Sequence, residues 1–150
     1  MHADQIEQIR RGLAANLSAV SEHVSPYLQE APMYPVLSVV GFESADYNRS
    51  FGRTVRSVSL VALVEGAAGA ASSEGAQRIF DSWLLAVPEA LMENQKLTRR
   101  WIDGGTVVDA AAAADALSVL DFRGYVRVLI KAQEVLTGLW PVQLLVSLPA

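Results

Sequence analysis

Apolar residues near the start of the chain recur at steps of three and four positions, which is the spacing of one face of an α-helix. Between position 4 and about position 20 they are Ile6, Ile9, Leu13, Leu17 and Val20. Polar residues, including Gln5, Arg11 and Asn16, fall on the opposite face. The pattern predicts an amphipathic helix that begins near Asp4, whose carboxylate suits a helix amino terminus.

The next patterns are typical of β-strands. Residues 36–42 follow Pro35 and are rich in β-branched side chains, so they predict a short buried strand. Residues 43–53 are polar and predict a loop. Residues 54–65 predict a long central strand, because they alternate and place on one face Val58, Leu60, Ala62 and Val64. Residues 66–73, rich in glycine, alanine and serine, predict a second loop.

A second amphipathic helix is predicted after that loop, and a serine near the end of the loop can cap it. The apolar side of this helix carries Ala76, Ile79, Phe80, Trp83, Leu84 and Val87. Pro88 lacks an amide hydrogen, which costs nothing at the first position of a helix. We therefore expect Pro88 to open a second short helical piece through Asn94, with a bend between the two pieces.

The remainder of the chain predicts strands. Residues 106–120 favour two strand pieces separated by a loop, and residues 125–135 alternate as one long strand. Residues 136–150 are largely apolar and uncharged, so they either pack on the chain's own sheet or cross to a neighbouring molecule. The predicted fold class is α+β, a mostly antiparallel β-sheet with helices packed on one face. We expect one domain over residues 1–136 and an apolar C-terminal extension over residues 137–150.

Composition and charge narrow the classes of function. The chain has no cysteine and two histidines, His2 and His23, which leaves no thiolate chemistry and few imidazoles for a zinc site or a Ser-His-Asp triad. Its net charge of −4 has the wrong sign for tight binding of nucleic acid. The amino terminus lacks the pattern of a signal peptide and no apolar run has the length of a membrane span, so we expect a soluble protein made in the cytoplasm.

The sequence holds none of the common phosphate-binding, metalloprotease or nucleophile motifs. We therefore predict no catalytic residue, no metal, no cofactor and no enzymatic activity. Two alternatives stay open. One is a small-ligand-binding α+β domain with a pocket between sheet and helices, lined by Phe42, Phe80 and Trp83. The other is a self-binding regulatory module.

Two segments are candidates for protein contacts. The polar stretch after residue 42 combines aromatic and arginine side chains, as protein interfaces often do, at Asp46, Tyr47, Arg49, Phe51, Gly52 and Arg53. Its arginines would pair with acidic groups of a partner, and its aromatic side chains would act as anchors. The alternative is an ordinary hairpin loop. The apolar tail offers Leu139, Trp140, Leu144 and Leu145.

A series of short motifs follows the first helix, in the order Ser25-Pro26-Tyr27, Val39-Val40-Gly41, Asp46-Tyr47, Phe51-Gly52-Arg53, Leu63-Val64-Glu65-Gly66, Ala76-Gln77, Asp81-Ser82-Trp83-Leu84 and Tyr125. From about residue 6 to residue 135 this order resembles the tail terminator proteins of long-tailed (siphovirus-type) bacteriophages. The chain departs from that family in residues 136–150, because relatives usually end soon after the last strand, and in the alanine run at residues 110–114, where relatives are more polar.

The resemblance implies a structural virion protein. Six copies would form a closed ring on the last ring of the tail tube, stop tube polymerisation and provide a docking surface for the head-tail connector or neck protein. The expected partners are other copies of the chain, the tail tube protein and the connector, with DNA passing through the lumen without specific binding and with no membrane contact. The expected location is the head-proximal end of the virion tail, after assembly in the host cytoplasm. Another head-tail joining protein, of the neck or head-completion type, is the alternative within the same class.

Overall fold

The computed structural model describes residues 2–29, 32–49, 55–70, 73–102, 105–108 and 112–147. These residues form two helices, α1 (His2–Leu17) and α2 (Glu74–Glu93), and eight strands. The strands are β1 (Val24–Ser25), β2 (Val36–Arg49), β3 (Val55–Gly69), β4 (Arg99–Ile102), β5 (Gly105–Val108), β6 (Ala116–Val119), β7 (Arg123–Ile130) and β8 (Gln133–Ser147). Neither described helix combines the length and apolarity needed to cross a membrane.

The main sheet has six strands, and β8 is its centre. The order along the sheet is β1, β2, β3 and β8, and both β6 and β7 pair with the far edge of β8. β8 runs antiparallel to β3 along its length, while its other edge pairs with β7 over residues 133–139 and with β6 over residues 142–145. β4 and β5 form a separate antiparallel ribbon that contacts α1. The predicted fold class is confirmed.

The hydrophobic core lies between the two helices and one face of the sheet. α1 buries Ile9, Leu13 and Leu17, as its spacing predicts, and α2 buries Ala76, Phe80, Trp83, Val87 and Leu91. The predicted apolar face of β3 is confirmed, because Val58, Leu60, Ala62 and Val64 are all buried. On β8 the residues that pair with them are Val146, Leu144, Val142 and Trp140, and these are buried too. The opposite face of the sheet carries no helix among the described elements.

Aromatic rings fill the middle of this core. Phe80 packs edge-on against Trp83 at 5.0 Å between ring centroids and lies parallel to Trp140 at 6.1 Å, with Phe122 alongside. Gly66 and Gly138, which pair with each other across β3 and β8, leave the space that these rings occupy. A Cβ at Gly66 would lie 2.7 Å from Trp83 Cζ3. The prediction of a loop from residue 66 was wrong, because β3 continues to Gly69. Gly66 therefore lies within a strand, next to the rings of Trp83 and Trp140.

α2 also differs from its prediction. Ser73 caps it as expected, because the Ser73 side chain accepts a hydrogen bond from the Ala76 amide at 3.1 Å. Pro88, however, lies inside a single helix and does not begin a second one. Val87 and Leu91, both fully buried, hold the residues around Pro88 on the core. Packing of this turn therefore outweighs the local cost of the missing amide hydrogen.

The last third of the chain confirms one prediction and corrects another. β5 and β6 are the two strand pieces expected within residues 106–120, although they belong to different sheets. Residues 125–135 are not one strand, because the chain reverses between β7 and β8. Lys131 and Ala132 form this two-residue turn with φ values of 50° and 65°. Left-handed values at both positions are typical of the hairpin turn that matches strand twist.

Asn16 contradicts the polar face predicted for α1, because only 3% of it is exposed. Its amide nitrogen donates to the Asn94 carbonyl oxygen at 3.0 Å, and the Asn94 side-chain amide donates back to Asn16 Oδ1 at 3.1 Å. The pair joins the end of α1 to the end of α2. A buried polar side chain is tolerated here because both of its groups are hydrogen-bonded.

Candidate assembly surface

The predicted contact loop is the outer half of a β-hairpin. Asp46 and Tyr47 lie in β2 and pair with Ser59 and Val58 of β3, so the prediction of a loop at these two residues was wrong. Both side chains are exposed, Tyr47 by 58%. Arg49 is the last residue of β2. The other three predicted contact residues, Phe51, Gly52 and Arg53, lie outside the described residues.

The outer edge of β2 is covered at one end and open along the rest. β1 pairs with it at Leu37 and Ser38. Arg10 of α1 then donates to the Val39 carbonyl oxygen at 2.7 Å, while its guanidinium lies over the ring of Tyr27 at 4.6 Å and over that of Phe42 at 5.4 Å. From residue 40 to residue 49, no backbone partner on this side is present in the described part of the chain. We call residues 40–49 the β2 edge.

The opposite side of the sheet ends in β7, which pairs only with β8 among the described strands. Most of its side chains are exposed, and four of them are large and apolar or aromatic: Tyr125 at 45%, Val126 at 56%, Leu129 at 74% and Ile130 at 37%. We call residues 123–130 the β7 edge. An exposed apolar edge strand is a surface on which another strand pairs readily. Burial raises the pKa of Tyr125, and the hydrogen bond from its hydroxyl to Asp81 at 3.2 Å raises that pKa further.

The two edges differ in charge. The β2 edge carries the acidic residues Glu43 and Asp46 and ends at the basic Arg49, so it is net negative, whereas the β7 edge carries Arg123 and Arg127, with Lys131 in the adjoining turn. One ion pair already joins the two edges across the sheet within the subunit, because Arg123 Nη2 lies 2.6 Å from Glu43 Oε1. Arg127 is a looser partner of Glu134, at 3.7 Å, and its side chain is 69% exposed. Asp46, Arg127 and Lys131 are therefore available for contacts between molecules.

The direction of the strands also bears on pairing between copies. Each step from β2 to β3, from β3 to β8 and from β8 to β7 is antiparallel. The two open edges therefore run in opposite directions. A second copy placed beside the first in the same orientation would bring a β7 edge antiparallel to a β2 edge, which is the pairing that continues the sheet.

The predicted tail contacts divide into two groups. Residues 136–147 belong to β8, so the tail packs on its own sheet and not on a neighbour's. Trp140 is 1% exposed and Leu144 is fully buried, so neither side chain can contact a partner in this fold. The expectation that these two residues lie at an interface is therefore corrected. Leu145 is 38% exposed and Leu139 is half-buried, both on the helix-free face. These two remain candidates.

Among the described residues, the side chains of the predicted ligand pocket between sheet and helices pack against one another or against their neighbours. Phe80 and Trp83 are buried against Trp140 and Phe122, and Phe42 packs under Arg10. Open grooves of about 290 to 390 Å³ lie elsewhere on the surface; one of them runs beside His23 and Trp101. Within the described ranges, no cluster of three or more histidine, aspartate or glutamate residues could hold a metal ion.

Comparison of the chain with models of known protein families and with curated proteins finds no match. The features that distinguish this surface are two open strand edges of unlike charge on opposite sides of one sheet. Sequence reasoning missed the β7 edge, because alternation in residues 125–135 predicted one long strand with no turn within it. The signal that could have found it is the run of basic residues at positions 123, 127 and 131, since positive side chains are typical of edge strands.

Proposed function

We infer that this protein is a ring-forming structural subunit, and more specifically a tail terminator that caps a phage tail tube. The observation that carries the inference is the pair of open edges, β2 and β7, on opposite sides of the same sheet. A contact between the β2 edge of one copy and the β7 edge of the next is heterologous. Such contacts close into a ring when the rotation that relates one copy to the next is a whole-number fraction of a full turn.

The side chains on the two edges suit this contact. Apolar Leu129 projects from the same face of the sheet as the exposed Tyr47 and would meet it, and burial of these side chains would supply most of the binding free energy. Asp46 projects from the opposite face to Arg127, so the acidic β2 edge and the basic β7 edge, with Arg127 and Lys131, would attract each other without a direct Asp46–Arg127 pair. Attraction between edges of opposite charge speeds association more than it adds affinity, so association should be faster at low salt.

Pairing of these edges would also tilt the strands. The β2 edge lies level with the end of β8 near Leu145, whereas β7 lies level with residues 133–139 of β8. Neighbouring copies would therefore be shifted along the strand direction. A closed sheet accommodates such a shift by inclining its strands to the ring axis, so we expect inclined strands along the ring wall.

The specific role is supported by the resemblance of the motifs to tail terminator proteins. A ring of six copies at −4 each would carry a net charge of −24. A lumen wall of net negative charge would bind the phosphate groups of DNA only weakly, so DNA would slide through the lumen. The ring would bind the tail tube on one side and the head-tail connector on the other.

The test is absolute mass by light scattering across a concentration series, for the protein alone and after addition of purified tail tube protein. The proposal expects a mass of six subunits in at least one of these conditions. The double variant R127E/L129D should stay folded, because both side chains are exposed, and should remain a monomer. Lys96→Glu, an exposed change beyond the end of α2 and outside both edges, is the control for charge reversal and should assemble as the parent does.

Two results would separate the role from the assembly. A subunit that stays monomeric at every concentration and in the presence of tube protein would overturn the ring. A ring that forms but leaves the length of assembling tail tubes unchanged would overturn the terminator role, and binding of that ring to connector protein would favour another head-tail joining protein.

A further inference from the structure

A small recess lies on the helix-free face of the sheet, separate from the β2 edge. Its volume is about 50 Å³. The walls are mainly apolar and include Leu28, Val36, Ala67 and Ile130, the last of these at the tip of β7. The polar side chains of the lining include Ser38 and Glu65 of the sheet and the exposed Gln29.

Ser38 and Glu65 are direct partners in the register of β2 and β3, so their side chains project side by side from the same face. No hydrogen bond or ion pair joins either side chain to another described residue. Ser38 is 4% exposed and Glu65 is half-buried, and burial raises the pKa of Glu65. A carboxylate removed from water without a partner is destabilised, and a cation beside it would remove much of that cost.

We propose that this recess binds the side chain of a lysine carried by a partner protein, with the ammonium group against Glu65 and Ser38 and the methylene groups against the apolar walls. The volume corresponds to about three to five water molecules, which suits a compact ammonium group and part of its stem. An arginine fits less well, because its guanidinium group is a broad plane. Lysine also presents the required shape, an apolar stem that ends in a charge.

The inference concerns a contact on the face of the sheet, to which the β7 edge contributes only Ile130, and it stands whether or not the copies form a ring. The probe is n-butylammonium chloride, which reproduces the end of a lysine side chain, and n-butanol is its neutral counterpart of similar size. Binding is followed by methyl resonances in ¹H–¹³C spectra of the full chain at neutral pH and constant ionic strength. Leu28, Val36, Ala67 and Ile130 supply reporter methyl groups around the recess.

The proposal expects saturable shifts of these methyl resonances with n-butylammonium and at least about tenfold weaker binding of n-butanol, a factor that corresponds to 1.4 kcal/mol. Glu65→Gln should weaken n-butylammonium binding by about the same factor. Glu89→Gln removes an exposed acid on α2, outside the recess and outside both edges, and this variant should bind as the parent does. Equal binding of n-butanol, unchanged binding by Glu65→Gln, or the absence of saturable shifts at these methyl groups would each overturn the proposal. Because these spectra report binding at the recess in monomer and assembly alike, failure here would leave the ring untouched.

Discussion

Gly138→Ala tests how tightly the aromatic rings pack against the central strand. An added Cβ would lie 2.6 Å from Phe122 Cζ and 3.0 Å from Phe80 Cε1. Phe80 is fully buried and lies against Trp140, so it has no free space to move into. Inserting a methyl group into a packed core of this kind costs about 1–3 kcal/mol. We therefore expect the free energy of unfolding to fall by about 2 kcal/mol, and the midpoint of thermal unfolding to fall by roughly 4–8 °C for a chain of this length.

The matched control is Gly124→Ala in β7, where an added Cβ would meet no atom within 4 Å. Alanine restricts the unfolded chain more than glycine does, so this variant should equal the parent or exceed it by up to about 1 kcal/mol. Both free energies come from urea unfolding followed by tryptophan fluorescence, with slopes compared to confirm that the same surface is exposed. If Gly138→Ala proved as stable as Gly124→Ala, the rings would have room to move, and the packing argument would be refuted.

Three further predictions concern the β7–β8 turn, the carboxyl group of Glu65 and the cap of α2. Ala132→Gly should raise the free energy of unfolding by about 1 kcal/mol in urea, because the left-handed backbone there strains alanine and not glycine; an unchanged midpoint would contradict this. Since burial raises the pKa of Glu65, the folded protein holds that proton more tightly than the unfolded chain, and stability should fall as pH rises from the ordinary carboxyl pKa through the raised one. Glu65→Gln should lack this decrease in thermal unfolding across a pH series, and parallel curves for parent and variant would argue against the reasoning. Ser73→Ala should lose about 1 kcal/mol of unfolding free energy in urea, whereas Ser82→Ala on the exposed side of the same helix should lose less; equal losses would show that the cap contributes nothing.

The buried faces of the regular elements could be predicted because burial imposes a period on the sequence. Leu13 and Leu17 belong to a series of apolar residues at steps of three and four positions, and Val64 belongs to a series at steps of two. In each element, this spacing places the apolar side chains on the buried face. The fold class followed from these faces. A serine cap near the end of the preceding loop could be predicted, because serine directly before an amphipathic run is a common helix start, and the structure identifies it as Ser73.

The errors arose where tertiary contacts decide the local structure. Gly66 belongs to a strand because a ring from α2 fills the space beside it, which no local pattern records. Lys131 and Ala132 turn without glycine or asparagine, so the hairpin between β7 and β8 was invisible in the sequence. Asp46 and Tyr47 are polar because they lie at an open edge, and an edge strand has the same composition as a loop.

The same limit applies to the candidate assembly surface. The apolar composition of the tail predicted that it is shielded from solvent. Its position at the centre of the sheet, however, depends on pairing with residues more than 60 positions earlier, as between Gly69 and Val135. Trp140 and Leu144 were therefore placed at an interface when they belong to the core. Whether an apolar strand is central or exposed depends on its neighbours in space, and a single sequence does not contain them.

The central position of β8 has a consequence for how the chain folds during synthesis. β8 follows every other described element, yet β3, β6 and β7 all pair with it. While the ribosome makes α2 and the intervening strands, β3 has an uncovered inner edge, and closing the long connection to β8 is entropically slow. Until residues 133–147 emerge, that edge can pair with the wrong strand, including one from another nascent copy. The sheet therefore has to form late and as a whole, and the nascent chain is more exposed to misassembly than the finished subunit.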